Sequence, residues 1–191
     1  MKKISIIIPA RFGSTRFPGK PLAMIAGKSM IHRVCELARN ACKDIQNTSI
    51  LVATDDSRII DHVKEIGIDC VLTPNDCATG SDRVLFAAKT MKEPPEFIIN
   101  LQGDAPLMPE ELISTLINTW LENPSIKVVT PIVQLSWDKL DELRDSKKLT
   151  PFSGTTCIKN NSDEAIWFSK NIIPAIRDEN TLRQINKLSP V

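Results

Sequence analysis

Apolar positions recur along the chain with two alternating periods. Ile4 to Ile8 is a short apolar run rich in β-branched residues, which predicts a strand covered on both faces. A loop containing Gly and Pro follows from Pro9 to Pro21. Beyond Ser29, a plausible N-cap, Met30, Val34, Leu37, Ala38 and Ala41 recur at helical spacing with His32, Arg33, Glu36 and Arg39 between them. The unit repeats: Ile50–Ala53 reads as strand, and Ile59, Ile60, Val63 and Ile66 form a helical stripe closed by Gly67. Cys70–Thr73 is a further short strand and Ser81–Met91 a helix. Phe97–Leu101 is a buried strand, and Pro109 opens a helix that runs through Leu121 and is closed by Pro124.

Strands alternating with helices predict right-handed crossovers and a doubly wound, mainly parallel α/β sheet. Ligands bind such sheets at the carboxyl ends of the strands, so the loops of interest cluster on one edge. After Val128–Val133 the pattern weakens into a polar stretch, 138–148, followed by two strand-like runs, Thr155–Lys159 and Ala165–Ser169. No internal repeat or low-complexity tract is present.

The 191 residues suffice for one substantial core, and 42% hydrophobic with 25% charged residues is the composition of a soluble globular protein. A net charge of +1 argues against nucleic acid or an anionic membrane as partner. The distribution says more than the total: nine Lys or Arg residues lie between Lys2 and Lys43 against a single acid, Glu36. That segment can receive a small anion. Lys2-Lys3 followed by apolar residues faintly resembles a signal peptide, but Pro9 and Arg11 end the run, so a buried strand in a cytoplasmic protein is expected. No apolar stretch approaches the roughly 20 residues of a membrane helix.

The loop from Pro9 to Leu22 (PARFGSTRFPGKPL) carries three cations, two glycines, two hydroxyls and no acid. Glycines let backbone N–H groups approach an anion, and Arg11, Arg16 and Lys20 can neutralise charge that moves onto departing pyrophosphate. Pro21 stands where a Walker loop requires Ser or Thr, which counts against a kinase or ATPase. Read without a ligand, the same residues make a solvated basic turn. Its position after the first strand favours ligand binding.

Asn100-Leu101-Gln102-Gly103-Asp104-Ala105-Pro106 ends another buried strand with an amide, a glycine and a carboxylate. Asp104 is the candidate Mg²⁺ ligand, since Mg²⁺ takes one or two carboxylates together with phosphate oxygens and water. It could instead stabilise the turn before the helix at Pro109. Ala53-Thr54-Asp55-Asp56 and Ala78-Thr79-Gly80-Ser81-Asp82-Arg83 are polar loops at the same predicted edge. Asp56 or Ser57, and Ser81, also look like ordinary N-caps, whereas Arg83 is expected to touch ligand.

His32 and His62 fall within amphipathic helices without a neighbouring nucleophile or metal partner, and read as packing or surface residues. The five cysteines (35, 42, 70, 77 and 157) contain no C-x-x-C pair and read as reduced, structural thiols. The absence of a Gly-x-Ser-x-Gly elbow disfavours hydrolysis through a covalent intermediate.

Taken together, the Pro9–Leu22 loop, Val52-Ala53-Thr54-Asp55, Thr79-Gly80-Ser81-Asp82-Arg83 and Asn100–Pro106 closely resemble the 3-deoxy-manno-octulosonate cytidylyltransferase family, in order and in spacing. The signature Arg-x-x-Ser-Thr-Arg-x-Pro-Gly-Lys-Pro-Leu is specific. The resemblance implies a Rossmann-like nucleotidyltransferase fold. It also implies a Mg²⁺-dependent attack of a sugar acid's anomeric hydroxyl on the α-phosphate of CTP, for lipopolysaccharide synthesis. Position by position, it implies that Arg11, Ser14 and Lys20 bind the triphosphate and that Arg16 adds a phosphate cation. Arg83 and Gln102 then lie in the nucleotide pocket, and Asp104 holds the metal. Lys20, Arg16 and Asp104 are thus the candidate catalytic residues. CMP-sialic acid synthetases have Lys-Gly and Lys-Asn where this chain has Thr15-Arg16 and Lys20-Pro21, which favours the octulosonate branch.

The resemblance further implies one nucleotidyltransferase domain over residues 1–191. Its nucleotide-binding core is expected at about 1–135, and an incomplete sugar-binding and dimerisation portion at about 136–191. The family continues past Val191 with an Arg-His strand, a Glu-Gln-Leu-Arg helix and a late aspartate that completes the metal site, and it forms homodimers. Ala105 replaces a common Glu, and Trp167 and Lys170 fall in a stretch that is often Tyr-Phe-Ser-Arg, which bears on the choice of sugar. Two other readings stay open: a non-catalytic nucleotide-binding relative, and a synthetase for another sugar acid such as an amino-octulosonate or a sialic acid.

Overall fold

A computed structural model describes residues 2–13 and 17–191. They form two compact units, Met1–Val129 and Thr130–Val191.

The first unit is built on a four-stranded sheet. Its strands are β1 (Ile4–Ala10), β4 (Thr48–Thr54), β5 (Asp69–Leu72) and β6 (Phe97–Asn100), arranged β5-β4-β1-β6 with every pairing parallel. Two two-residue strands, β2 (Met24–Ile25) and β3 (Lys28–Ser29), make a small hairpin ahead of the first helix. All seven residues of β1 are buried, and their alternation divides them between two cores. Ile4, Ile6 and Ile8 pack under α1 (Met30–Cys42), α2 (Ser57–Glu65) and α4 (Glu110–Glu122), while Ile7 packs under α3 (Gly80–Thr90). The sheet is therefore covered on both faces, as the apolar run at Ile4–Ile8 predicts.

Helix starts follow local capping chemistry. The Ser29 hydroxyl accepts from the His32 N–H at the start of α1, and the Asp56 carboxylate accepts from the Arg58 N–H at the start of α2. In α3 the cap is Thr79, not Ser81. Thr79 and Asp82 form a reciprocal capping box, so the helix begins at Gly80.

The chain order β1, β4, β5 moves outward on one side of β1, and β6 then returns to the other side. The direction reverses between β1 and β6, and the crevice at a topological switch point of this kind takes the ligand in open α/β sheets. Gly103 sits at that point. A Cβ on it would lie 2.7 Å from the Pro9 carbonyl oxygen, so the ends of the two strands meet only across a glycine.

The second unit contains α5 (Trp137–Leu149), the antiparallel pair β7 (Thr156–Lys159) and β8 (Ala165–Ser169), and α6 (Glu179–Ile185). The polar stretch 138–148 thus lies within α5, which is capped by the Ser136 hydroxyl and buried only at Trp137 and Leu140. No helix among the described residues is long and apolar enough to cross a membrane.

Candidate nucleotide-binding site

A cleft of about 230 Å³ opens at the switch point. After β1 it is lined by Arg11, Lys20 and Pro21, and after β5 by Cys77–Gly80. Arg83 comes from α3, and Gln102, Gly103 and Asp104 follow β6. Five of the seven residues singled out from the sequence (Arg11, Lys20, Arg83, Gln102 and Asp104) therefore share one cleft. Ser14 and Arg16 lie outside the described residues.

The Lys20 turn is shaped by its neighbours. Gly19 adopts a left-handed φ of 71°, and the single turn that follows, Lys20–Leu22, has Pro21 in its first positions. This directs Lys20 across the crevice, where Nζ lies 2.6 Å from Asp104 Oδ2. Arg11 is exposed and makes no side-chain hydrogen bond or ion pair among the described residues, and its guanidinium offers five donors in a planar fork.

Arg83 is differently placed. Its side chain is 4% exposed, one Nη donates to Asp55 Oδ2 at 2.6 Å, and the other donates to the Thr73 hydroxyl. A buried guanidinium requires such partners, because an unpaired charge in the interior is costly. Arg83 reaches the cleft wall with its two Nη groups already engaged, and in doing so it ties α3 to the ends of β4 and β5.

Gln102 is oriented by a relay of amides. Asn100 Nδ2 donates to the Ser81 hydroxyl at 3.1 Å, and Asn100 Oδ1 accepts from Gln102 Nε2 at 3.0 Å. Gln102 Oε1 is left beside Gly80, where an added Cβ would stand 3.4 Å away. The cleft lining is thereby given an oriented acceptor beside Gly80. Asp55, Thr73 and Asn100 have supporting roles that depend on strand register, which no local sequence signal encodes.

Asp104 is the one acidic side chain lining the cleft, and no group of three or more His, Cys, Asp or Glu side chains converges as a metal site among the described residues. A single carboxylate that also holds an ammonium suits a cation arriving with phosphate oxygens, which supply the remaining ligands. It does not suit a resident metal held by protein alone. Of the cysteines, Cys35 is fully buried and its thiol is pushed up to about 12 by burial, the opposite of a reactive thiolate.

An open α/β sheet, a basic loop after its first strand and an acid after the strand across the switch point together make the arrangement of a nucleotidyltransferase-type fold. The chain belongs to the cytidylyltransferase family, whose sequence model matches residues 5–190. It is 44% identical over 168 residues to a 3-deoxy-manno-octulosonate cytidylyltransferase of Maricaulis maris (strain MCS10), an alignment covering 88% of this chain and 64% of the relative. The corresponding Chlamydia caviae protein is 37% identical over 94% of this chain and 66% of its own length. A solved CMP:2-keto-3-deoxy-manno-octonic acid synthetase complexed with CTP superposes with a TM-score of 0.76 at 31% identity, covering 94% of this chain and 68% of that one. The chain thus spans a little under two thirds of the length of these curated relatives.

Proposed function

We propose that this protein transfers CMP from CTP to a 3-deoxy-manno-octulosonate-type sugar acid, with release of pyrophosphate, for lipopolysaccharide synthesis. The observation that carries the reading is the placement of Arg11 and Lys20 opposite Asp104 across one switch-point cleft. Its chemical identity is supported by the names of the relatives and by the CTP complex of the structural neighbour.

In this mechanism the anomeric hydroxyl attacks the α-phosphorus and gives up its proton to solvent, a new P–O bond forms, and the bond from the α-phosphorus to the bridging oxygen breaks with its electron pair leaving on pyrophosphate. Arg11 and Lys20 meet the β- and γ-phosphates and neutralise the charge that develops there. The Gln102 carbonyl oxygen, fixed by Asn100, accepts from a nucleoside hydroxyl or amino group. Asp104 would hold the Mg²⁺ that accompanies the triphosphate, which supplies further neutralisation of phosphate charge. No group on the protein needs to form a covalent bond to substrate. Use of CTP, a cytoplasmic metabolite, supports a cytoplasmic location. The exposed Trp167 and Phe168 of β8 offer apolar area to a second copy in a homodimer.

The test is pyrophosphate release from CTP, octulosonate and Mg²⁺. Release well above that of an Asp104→Ala control, with CTP preferred over UTP, is expected. CTP binding without release above that control would refute catalysis and leave a nucleotide-binding relative. A higher kcat/KM for an amino-octulosonate or a sialic acid would reassign the sugar.

A further inference from the structure

The phosphate loop is held at its neck from outside the cleft. The Gly19 N–H donates to the Phe12 carbonyl at 2.9 Å, so the chain that leaves β1 returns to the same point before the Lys20 turn. With φ at 71°, Gly19 lies so close to the Phe12 ring that a Cβ would stand 3.1 Å from two ring carbons. The Arg58 guanidinium lies over the same ring, its Cζ 3.4 Å from the centroid. Arg58 is in turn fixed by Asp56, with Nε to Oδ1 at 2.9 Å and Nη2 to Oδ2 at 2.7 Å. A continuous path therefore runs from the β4–α2 connection through Asp56, Arg58 and Phe12 to Gly19.

Phe12 and Gly19 are the chain neighbours of Arg11 and Lys20, the described cations that the loop after β1 brings to the cleft, yet none of Asp56, Arg58 and Phe12 lines it. Their influence on an anion can only be indirect. We propose that Phe12 and Arg58 are positioning residues, a guanidinium–aromatic clamp that holds the neck of the loop so that Arg11 and Lys20 face a polyphosphate together. The proposal rests on the reading of Arg11 and Lys20 as phosphate ligands.

The chemistry is specific to arginine. A planar guanidinium can stack on a ring while its edge is forked by a carboxylate, whereas a lysine ammonium offers only a point charge. Losing the stack shifts the neck away from its binding-competent arrangement, and apparent affinity falls with the competent fraction. The expected weakening is about two- to fivefold, the size of one exposed cation–π contact.

The experiment compares wild type with Arg58→Ala, Arg58→Lys, Phe12→Leu and Phe12→Tyr, using inorganic tripolyphosphate, CTP and UTP as probes and hydrogen exchange of the Gly19 amide as a ligand-free readout. Arg58→Ala, Arg58→Lys and Phe12→Leu are expected to weaken tripolyphosphate and CTP equally and to speed Gly19 exchange by a similar factor. Phe12→Tyr should restore both. The melting temperature of Arg58→Ala should stay at the wild-type value, because Asp56 still caps α2. Wild-type affinity in Arg58→Lys alongside weakening in Arg58→Ala would reduce Arg58 to a bulk charge and overturn the clamp, as would unchanged Gly19 exchange. If wild type binds tripolyphosphate without preferring CTP to UTP, the cytidylyl reading fails. The clamp is then still decided by the variant-to-wild-type ratios for tripolyphosphate.

Discussion

Lys20 Nζ and Asp104 Oδ2 lie 2.6 Å apart, so the cation assigned to the triphosphate and the carboxylate assigned to the metal are each other's partner. With side chains 35% and 55% exposed, the pair contributes little to stability, on the order of 0–1 kcal/mol. Under the proposed function its consequence is for binding, because an arriving triphosphate would draw Lys20 away and leave Asp104 free for the accompanying cation. Lys20→Ala is therefore expected to weaken CTP about ten- to a hundredfold, the worth of one hydrogen bond to a charged group. Asp104→Ala should remove the Mg²⁺ dependence of CTP binding. Calorimetric titrations with and without Mg²⁺ check both, and a Mg²⁺ dependence that survives Asp104→Ala would clear Asp104 of the metal role.

Asp55 and Arg83 make the opposite kind of pair, with side chains 16% and 4% exposed. Removing one partner from a buried pair strands the other charge, at a cost of about 3–5 kcal/mol. Asp55→Ala should lower the unfolding free energy measured in urea by that amount, and Asp55→Ala combined with Arg83→Met should recover part of it. A shift under about 1 kcal/mol would mean that water reaches the guanidinium after all.

Much of this architecture is legible in the sequence, for physical reasons. The runs at Ile4–Ile8 and Phe97–Leu101 are apolar because both sheet faces are covered, and the 29–41 stripe is periodic because one side of α1 is buried. Helix α5 escapes that logic: of its thirteen residues only Trp137 and Leu140 are buried, too few to produce a stripe. Arg11, Lys20, Gln102 and Asp104 are legible because each follows a recognisable strand. The two engaged Nη groups of Arg83 are not, since Asp55 and Thr73 stand 28 and 10 positions away and meet it only through the β4–β5 register. The Arg58–Phe12 stack has no sequence signal at all.

Gly103 offers a test of how the cleft floor is set. A methyl group there would come within 2.7 Å of the Pro9 carbonyl, a rigid backbone atom at the end of β1. Gly103→Ala should destabilise the first unit by about 1–3 kcal/mol, the usual range for overpacking. It should also weaken CTP, because β1 and β6 carry Arg11 and Asp104 on their following loops. Denaturant unfolding monitored together with CTP titration measures both, and wild-type behaviour in each would show that the strand ends separate freely.

The second unit carries a pH dependence whose sign is fixed by its ion pairs. Glu179 accepts from Arg144 Nη1 and Nη2 at 2.8 Å each and from Arg183, and these guanidinium hydrogen bonds hold its carboxyl at about 2 against an ordinary 4.5. Asp141 is lowered as well, chiefly by its hydrogen bond from Arg183. A folded-state value below the unfolded one means that the protonated carboxyl favours the unfolded chain. The stabilisation is therefore complete above about pH 4.5 and is lost as pH falls towards 2. Because Arg183 also stacks over Trp137, whose Nε1 donates to the Asn186 carbonyl, the loosening should register at that indole. Acid titration followed by the Trp137 indole N–H resonance should show a transition in this window that is diminished in Glu179→Gln. An identical transition in the two proteins would assign the acid response to other carboxylates.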